Sequence, residues 1–134
     1  MKLKFNYNDG GRSKYFTAAK VGDCVTRSIA IALNMDYKEV YDKVANIVGY
    51  TPRNGVYNKD IKKVISAFGG TWHPMMQIGS GCKVHLCDGE IPAKGRIICK
   101  LSHHLTCVID NVINDTFDAS RNGTRCVYGY WEFN

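Results

Sequence analysis

The change of texture at Gly69-Gly70 constrains this chain more than any other feature of it. Before that pair, apolar residues recur at helical spacing. After it, they fall in short runs rich in β-branched residues, separated by glycine, proline, aspartate and asparagine. Helices first and strands second is the order of an α+β fold, with N-terminal helices packed on a C-terminal antiparallel sheet. A chain of 134 residues is long enough to bury a core without staples. We therefore expect a single domain over 1–134, with a helical part at 20–70 and a sheet part at 71–134.

The helical part divides into three. Val21-Gly22-Asp23 reads as a turn with Asp23 as N-cap, its carboxylate available to the amides of Val25 or Thr26. The apolar set Val25, Ile29, Ile31, Ala32 and Leu33 makes the first helix largely buried, and Asn34 suits a left-handed C-cap. Asp36-Tyr37-Lys38-Glu39 is a capping box for a second helix, whose one-sided stripe of Val40, Tyr41, Val44, Ile47 and Val48 ends at Gly49. Asn58 can cap a third, from Lys59 to Phe68, with Ile61, Val64, Ile65 and Phe68 inward.

Strands are expected at Thr71–Met76, Arg96–Leu101, His104–Ile109, Val112–Asn114 and Tyr128–Phe133, with a tight turn at Asp110-Asn111. Residues 78–94 carry no clear pattern. At the N-terminus, alternation over 2–7, a break at Asn8-Asp9-Gly10-Gly11 and a return at Lys14-Tyr15-Phe16-Thr17 predict a hairpin within residues 1–19.

Two stretches carry chemistry. Cys24 falls at the first position of a buried helix, where the positive end of the dipole and unpaired amides favour thiolate over thiol. A free cysteine is more often a small buried hydrophobe, so this position matters only if a histidine reaches it. Ser102-His103-His104-Leu105-Thr106-Cys107-Val108-Ile109 begins an apolar strand with histidine, and the turn at Asp110-Asn111 returns Asn114 and Asp115 towards its start, within a register step of about one or two residues. That is the orienting arrangement a catalytic imidazole needs. Strand alternation sends His103 and His104 to opposite faces, so only one can serve Cys24; His104 is preferred and His103 is the alternate. Asp118 is the alternate orienter, and Asp110 a turn residue.

In Gly22-Asp23-Cys24 with its apolar helix, in His104-Leu105-Thr106-Cys107-Val108-Ile109 and in Ile113-Asn114-Asp115-Thr116, the chain resembles papain-like cysteine peptidases, and among them the small C39-like and phage-encoded kinds. The resemblance runs from about residue 20 to about 120 and rests on the order of short motifs. It implies a papain-like fold and a cysteine-dependent hydrolase acting on an amide or isopeptide bond. Cys24 is then the nucleophile, His104 the general base and acid, Asp115 the orienter, and the Cys24 backbone amide part of an oxyanion hole. The family's glutamine upstream of the cysteine is absent; Thr17, Ala18 and Ala19 stand there, and Lys20 is the candidate donor in its place. The resemblance further implies a protein or peptide substrate, no cofactor, and a phage-encoded protein acting in its host's cytoplasm. The departure at the glutamine leaves a second reading open, a papain-like domain without turnover that binds a host protein.

Composition narrows the rest. The opening Met1-Lys2-Leu3-Lys4-Phe5 is too polar for an export signal, and no apolar run is long enough for a membrane helix. A cytoplasmic protein with its six cysteines reduced is the expectation. The net charge of +6 comes without long Lys/Arg runs, so it does not demand nucleic acid. Cys82, His85 and Cys87 do not match a recurring zinc spacing, and the two cysteines read as core residues. Tyr128, Tyr130, Trp131 and Phe133 read as sheet-face aromatics.

Overall fold

The structure, a computed structural model, describes residues 2–16, 22–77 and 79–134. Three helices, α1 (Cys24–Leu33), α2 (Tyr37–Val48) and α3 (Asn58–Ala67), accompany six strands: β1 (Lys4–Tyr7), β2 (Thr71–Pro74), β3 (Arg96–Leu101), β4 (His104–Ile109), β5 (Val112–Asp115) and β6 (Gly129–Phe133). The strands form one sheet in the order β1-β5-β4-β3-β6-β2. The architecture is α+β, with a mixed sheet rather than the purely antiparallel one expected.

The exception is β1, which runs parallel to β5, Phe5 opposite Ile113. The N-terminal hairpin is therefore corrected. Asn8-Asp9-Gly10-Gly11 does turn the chain, but into a short 3-10 helix at Arg12–Lys14, and Asp9 accepts the amides of Gly11 and Ser13. Local turn chemistry marked the bend, whereas the partner of β1 is set by a contact more than 100 residues away in sequence. Thr17, the end of the expected return strand, lies outside the described residues.

Helix α1 is buried from Val25 to Ala32 because it packs on β4 and β3 on one side and α2 on the other. Its apolar side chains join Ile98, Leu105, Cys107, Trp131 and Phe133 in one core. Asn34 closes it at φ 52°, and Arg96 donates to the Ala32 carbonyl. Helix α2 begins as expected, with the Asp36 carboxylate accepting from the Glu39 amide, and ends at Gly49. Helix α3 is capped by Tyr57, with Asn58 its first residue and no side-chain cap. Pleating sends Ile97, Cys99 and Leu101 to the opposite face of the sheet. There the irregular segment within 79–94 covers them with Leu86 and Ile91, buried residues that follow neither the helical nor the strand period.

The expectation of six reduced cysteines is also corrected. Cys82 and Cys126 form a disulfide that ties the irregular segment to the lead into β6, while Cys24, Cys87, Cys99 and Cys107 are free thiols. A bridge between His85 and Cys126 brings the two segments together. No helix among the described residues is long and apolar enough to cross a membrane.

Candidate active site

Strand β4 leaves a two-residue turn at Ser102-His103, with His103 in the left-handed region at φ 57° and exposed. Its first residue is His104. Period two places His104 and Thr106 on one face, and the β4–β5 register, Cys107 opposite Asn114, puts Asp115 next to both. His104 Nε2 donates to Asp115 Oδ2 at 2.8 Å, and Thr106 Oγ1 donates to the same oxygen at 2.7 Å. Cys24 lines the same groove as His104 and is near enough to act on the charge of its imidazole. With Nε2 engaged by Asp115, Nδ1 is the ring nitrogen left to serve the sulfur. The three residues thus come together from α1, β4 and β5.

Asp115 is 1% exposed, and a carboxylate so buried requires donors. Its other oxygen, Oδ1, accepts from Arg27 Nη2 at 3.0 Å and from the Thr116 amide at 2.7 Å. Arg27 is itself buried on α1 and donates through Nη1 to Asp23 Oδ1. Asp23 Oδ2 accepts from Tyr37 Oη at 2.8 Å and pairs with Arg12 Nε at 3.5 Å. Asp23 is therefore not the side-chain cap that its position suggests. A carboxylate facing two guanidinium groups and a phenol in a dry site gains more from them than from one helix amide. Two arginines and two aspartates form a buried, self-neutralising network directly behind the cysteine and the histidine.

The electrostatics follow from these contacts. Burial pulls the His104 pKa down, but hydrogen bonds to Asp115 and Cys24, with the charges on both, outweigh it and push the pKa up to about 9. Burial pushes Asp115 up, and its bonds to His104 and Thr106 with the charges of His104 and Arg27 more than reverse that, leaving it below the usual carboxylate range. Burial raises the thiol pKa of Cys107 to about 12 and that of Cys99 further, while its bond to Glu90, followed by burial, raises Cys87.

A groove of about 1170 Å³ opens over Cys24 and His104. One wall is the segment from Asn54 to Ile61; the other is Lys100 to His103 with Tyr128. The first wall is held close by glycines. A Cβ on Gly55, at φ 116°, would stand 2.8 Å from the Gly22 carbonyl oxygen, and one on Gly22 would stand 3.1 Å from the Asn54 oxygen. Phe117 is 49% exposed at the groove and its ring lies 5.0 Å from that of His104.

Among the described residues, the others singled out by sequence do not join Cys24, His104 and Asp115. Asp118 accepts from the Ser120 amide and hydroxyl and pairs with Lys2, so it does not orient His104. Lys20 lies outside the described residues. Cys82 is in the disulfide, while His85 and Cys87 both bond Glu90. Among the described residues no group of three or more His, Cys, Asp and Glu side chains is arranged to hold a metal ion. Trp131 and Phe133 are core residues, Tyr130 stacks on His73, and Tyr128 lines the groove.

Sequence reasoning missed Arg27, Thr106 and the use made of Asp23. The signal was present in Arg27, an arginine three residues after the cysteine and the one charged residue of a mostly apolar helix. Such a residue has to find an acid inside the fold. No protein-family model matches the chain, and neither a curated protein nor a solved structure matches it.

Proposed function

We propose that this protein is a cysteine-dependent hydrolase of amide bonds, a peptidase, isopeptidase or amidase, with a papain-like arrangement of its catalytic residues. The observation that carries the reading is that a cysteine at a helix start lines the same groove as an imidazole whose Nε2 is held by a buried carboxylate, Cys24, His104 and Asp115 in that order. Chain order supports the same reading: cysteine on a helix, histidine at the head of a strand, aspartate on the next.

In this mechanism the Cys24 sulfur attacks the carbonyl carbon as a thiolate, beside an imidazolium that its pKa of about 9 keeps charged at neutral pH. The tetrahedral oxyanion sits at the start of α1, where the Cys24 amide has no intrahelical acceptor. His104 gives its Nδ1 proton to the leaving amine as the C–N bond breaks, leaving a thioester on Cys24. It then takes a proton from water, whose oxygen attacks the thioester and releases the acid and the thiolate. Asp115 keeps the ring in the tautomer and orientation both steps need. The substrate is a protein or peptide chain laid along the groove, and no metal or cofactor takes part. The phage-encoded, cytoplasmic setting belongs to this proposal and rests on the resemblance alone.

A peptide bearing a thiol-directed electrophile tests the reading. It should modify Cys24 in preference to Cys87, Cys99 and Cys107, and Cys24→Ser or His104→Ala should abolish the modification. If the protein resists such reagents while a binding partner is found on the groove, the alternative holds: a papain-like domain that binds a host protein without turnover. The absent upstream glutamine favours that alternative.

A further inference from the structure

The Cys82–Cys126 disulfide closes a short ladder that leads into one wall of the groove. Leu86 donates its amide to the Arg125 carbonyl at 2.8 Å and Val127 its amide to the Val84 carbonyl at 2.9 Å, with His85 opposite Cys126 between them. The same strip reaches the wall on either side of Cys126. Arg125 Nη2 donates to the Ser102 carbonyl at 2.6 Å, and the Tyr128 amide donates to the Lys100 carbonyl at 3.0 Å. Lys100, Ser102 and Tyr128 all line the groove that holds Cys24 and His104. Cys126 is thus flanked by two bonds that hold the wall in place.

The other end of the bridge is open. Cys82 is exposed, and Gly79 and Gly81 before it adopt φ 88° and 92° with empty space where a Cβ would stand. Bonds in this stretch are local or weak: Ser80 turns back on the Gln77 carbonyl, and the Lys83 amide meets the Met76 sulfur at 3.5 Å. The disulfide is therefore the strong tie between 79–83 and the lead into β6. The next cysteine along, Cys87, does not contend for it. Its thiol donates to Glu90 Oε2 at 2.8 Å, and that bond keeps it protonated by raising its pKa. An exposed sulfur in an irregular segment is one that outside thiols reach. Disulfides in a reducing cytosol are mostly transient or redox-sensing, so the cytoplasmic setting proposed above makes this bond a variable of the protein.

We propose that the Cys82–Cys126 bond is a redox switch on the groove: oxidised, it holds the wall at Lys100, Ser102 and Tyr128 in shape to receive a peptide; reduced, the wall loosens and the peptide is held less well. A dithiol reductant supplies the two electrons. One of its thiolates attacks Cys82 Sγ and the Cys126 sulfur leaves; its second sulfur then displaces Cys82 as the reductant closes its own disulfide. The two protons lost by the dithiol end on Cys82 and Cys126. The inference gives the hydrolase site a regulator and rests on that reading for the word peptide; the loosening of the wall does not depend on turnover.

Amide hydrogen exchange of the full-length 15N-labelled protein, oxidised and then reduced with dithiothreitol, tests the structural half. The amides of Leu86, Val127 and Tyr128 should exchange at least about tenfold faster after reduction, while that of Val44 in α2 keeps its rate. The second half uses Cys82→Ser with Cys126→Ser, which needs no reductant in the assay. Acetyl-Ala-Ala-Ala vinyl sulfone should modify Cys24 about fivefold or more slowly than in oxidised wild type, because a loosened wall no longer holds the peptide ready. Iodoacetamide, too small to need the wall, should modify Cys24 at the same rate in both. If the double variant fails to fold, Cys82→Ser alone, at the exposed end, repeats the comparison. Exchange unchanged on reduction overturns the switch, and so does an equal vinyl sulfone rate in the two forms. A Cys24 that resists both reagents in either form defeats the hydrolase reading instead, and the exchange result then decides the switch by itself.

Discussion

Arg27 Nη2 lies 3.0 Å from Asp115 Oδ1, joining α1 to β5 across 88 residues of sequence. The same guanidinium reaches Asp23, the residue before Cys24, so one buried side chain ties the cysteine's helix to the carboxylate that holds His104. Removing it takes a shared guanidinium away from two buried carboxylates. Arg27→Met should cost about 3–5 kcal/mol of stability, measured by denaturant unfolding. Arg27→Lys, a point charge unable to span both acids, should recover only part of it. Stability equal to wild type in Arg27→Met contradicts this account of the network.

Stability should carry the signature of His104. Its folded pKa of about 9 lies above the unfolded value near 6.5. Its contribution is therefore complete below about 6.5 and is lost as pH rises through about 9. Asp115 acts at the other end. Its folded pKa is lowered, so its contribution is present above the unfolded value and disappears as pH falls through the folded one. In Asp115→Asn the alkaline loss should shrink and the imidazole should titrate lower, which histidine resonances followed against pH will read directly.

The groove wall at Gly55 is set by backbone contact. A methyl group there meets the Gly22 oxygen at 2.8 Å and must adopt φ 116°. Gly55→Ala should lose about 1–3 kcal/mol and slow alkylation of Cys24, because the displaced strand of backbone is the one leading into that residue. Gly69→Ala meets nothing within 4 Å and, though strained at φ 93°, lies away from the groove; it should leave alkylation unchanged.

Purified without reductant, the protein should show four reactive thiols on denaturation and a Cys82–Cys126 crosslinked peptide by mass spectrometry. With its ends 44 positions apart in sequence, the bridge should contribute about 4 kcal/mol by loop-closure entropy. Six free thiols in protein handled this way would restore the expectation of six reduced cysteines.

What could be read from sequence was local. Asp110 and Asn111 both adopt positive φ, the geometry of a two-residue hairpin turn, and such a turn dictates that β5 returns along β4. His104 and Asp115 follow from that hairpin with little freedom. The capping box of α2 and the left-handed Asn34 are equally short-range. What escaped depends on contacts far apart in sequence: the parallel partner of β1, the disulfide, the cover given by Leu86 and Ile91, and the diversion of Asp23 from its helix to two arginines. No periodicity announces these, because each is decided by what the rest of the fold brings alongside.

The central claim is that Cys24 and His104 act as a thiolate–imidazolium pair. Alkylation by iodoacetamide from pH 5 to 10, read residue by residue by mass spectrometry on wild type and His104→Ala, tests it most directly. Cys24 should react near pH 6 at least about tenfold faster than Cys87, Cys99 and Cys107, and His104→Ala should remove most of that advantage. A Cys24 that gains reactivity only at alkaline pH, equally in wild type and variant, would contradict the pair and with it the proposed chemistry.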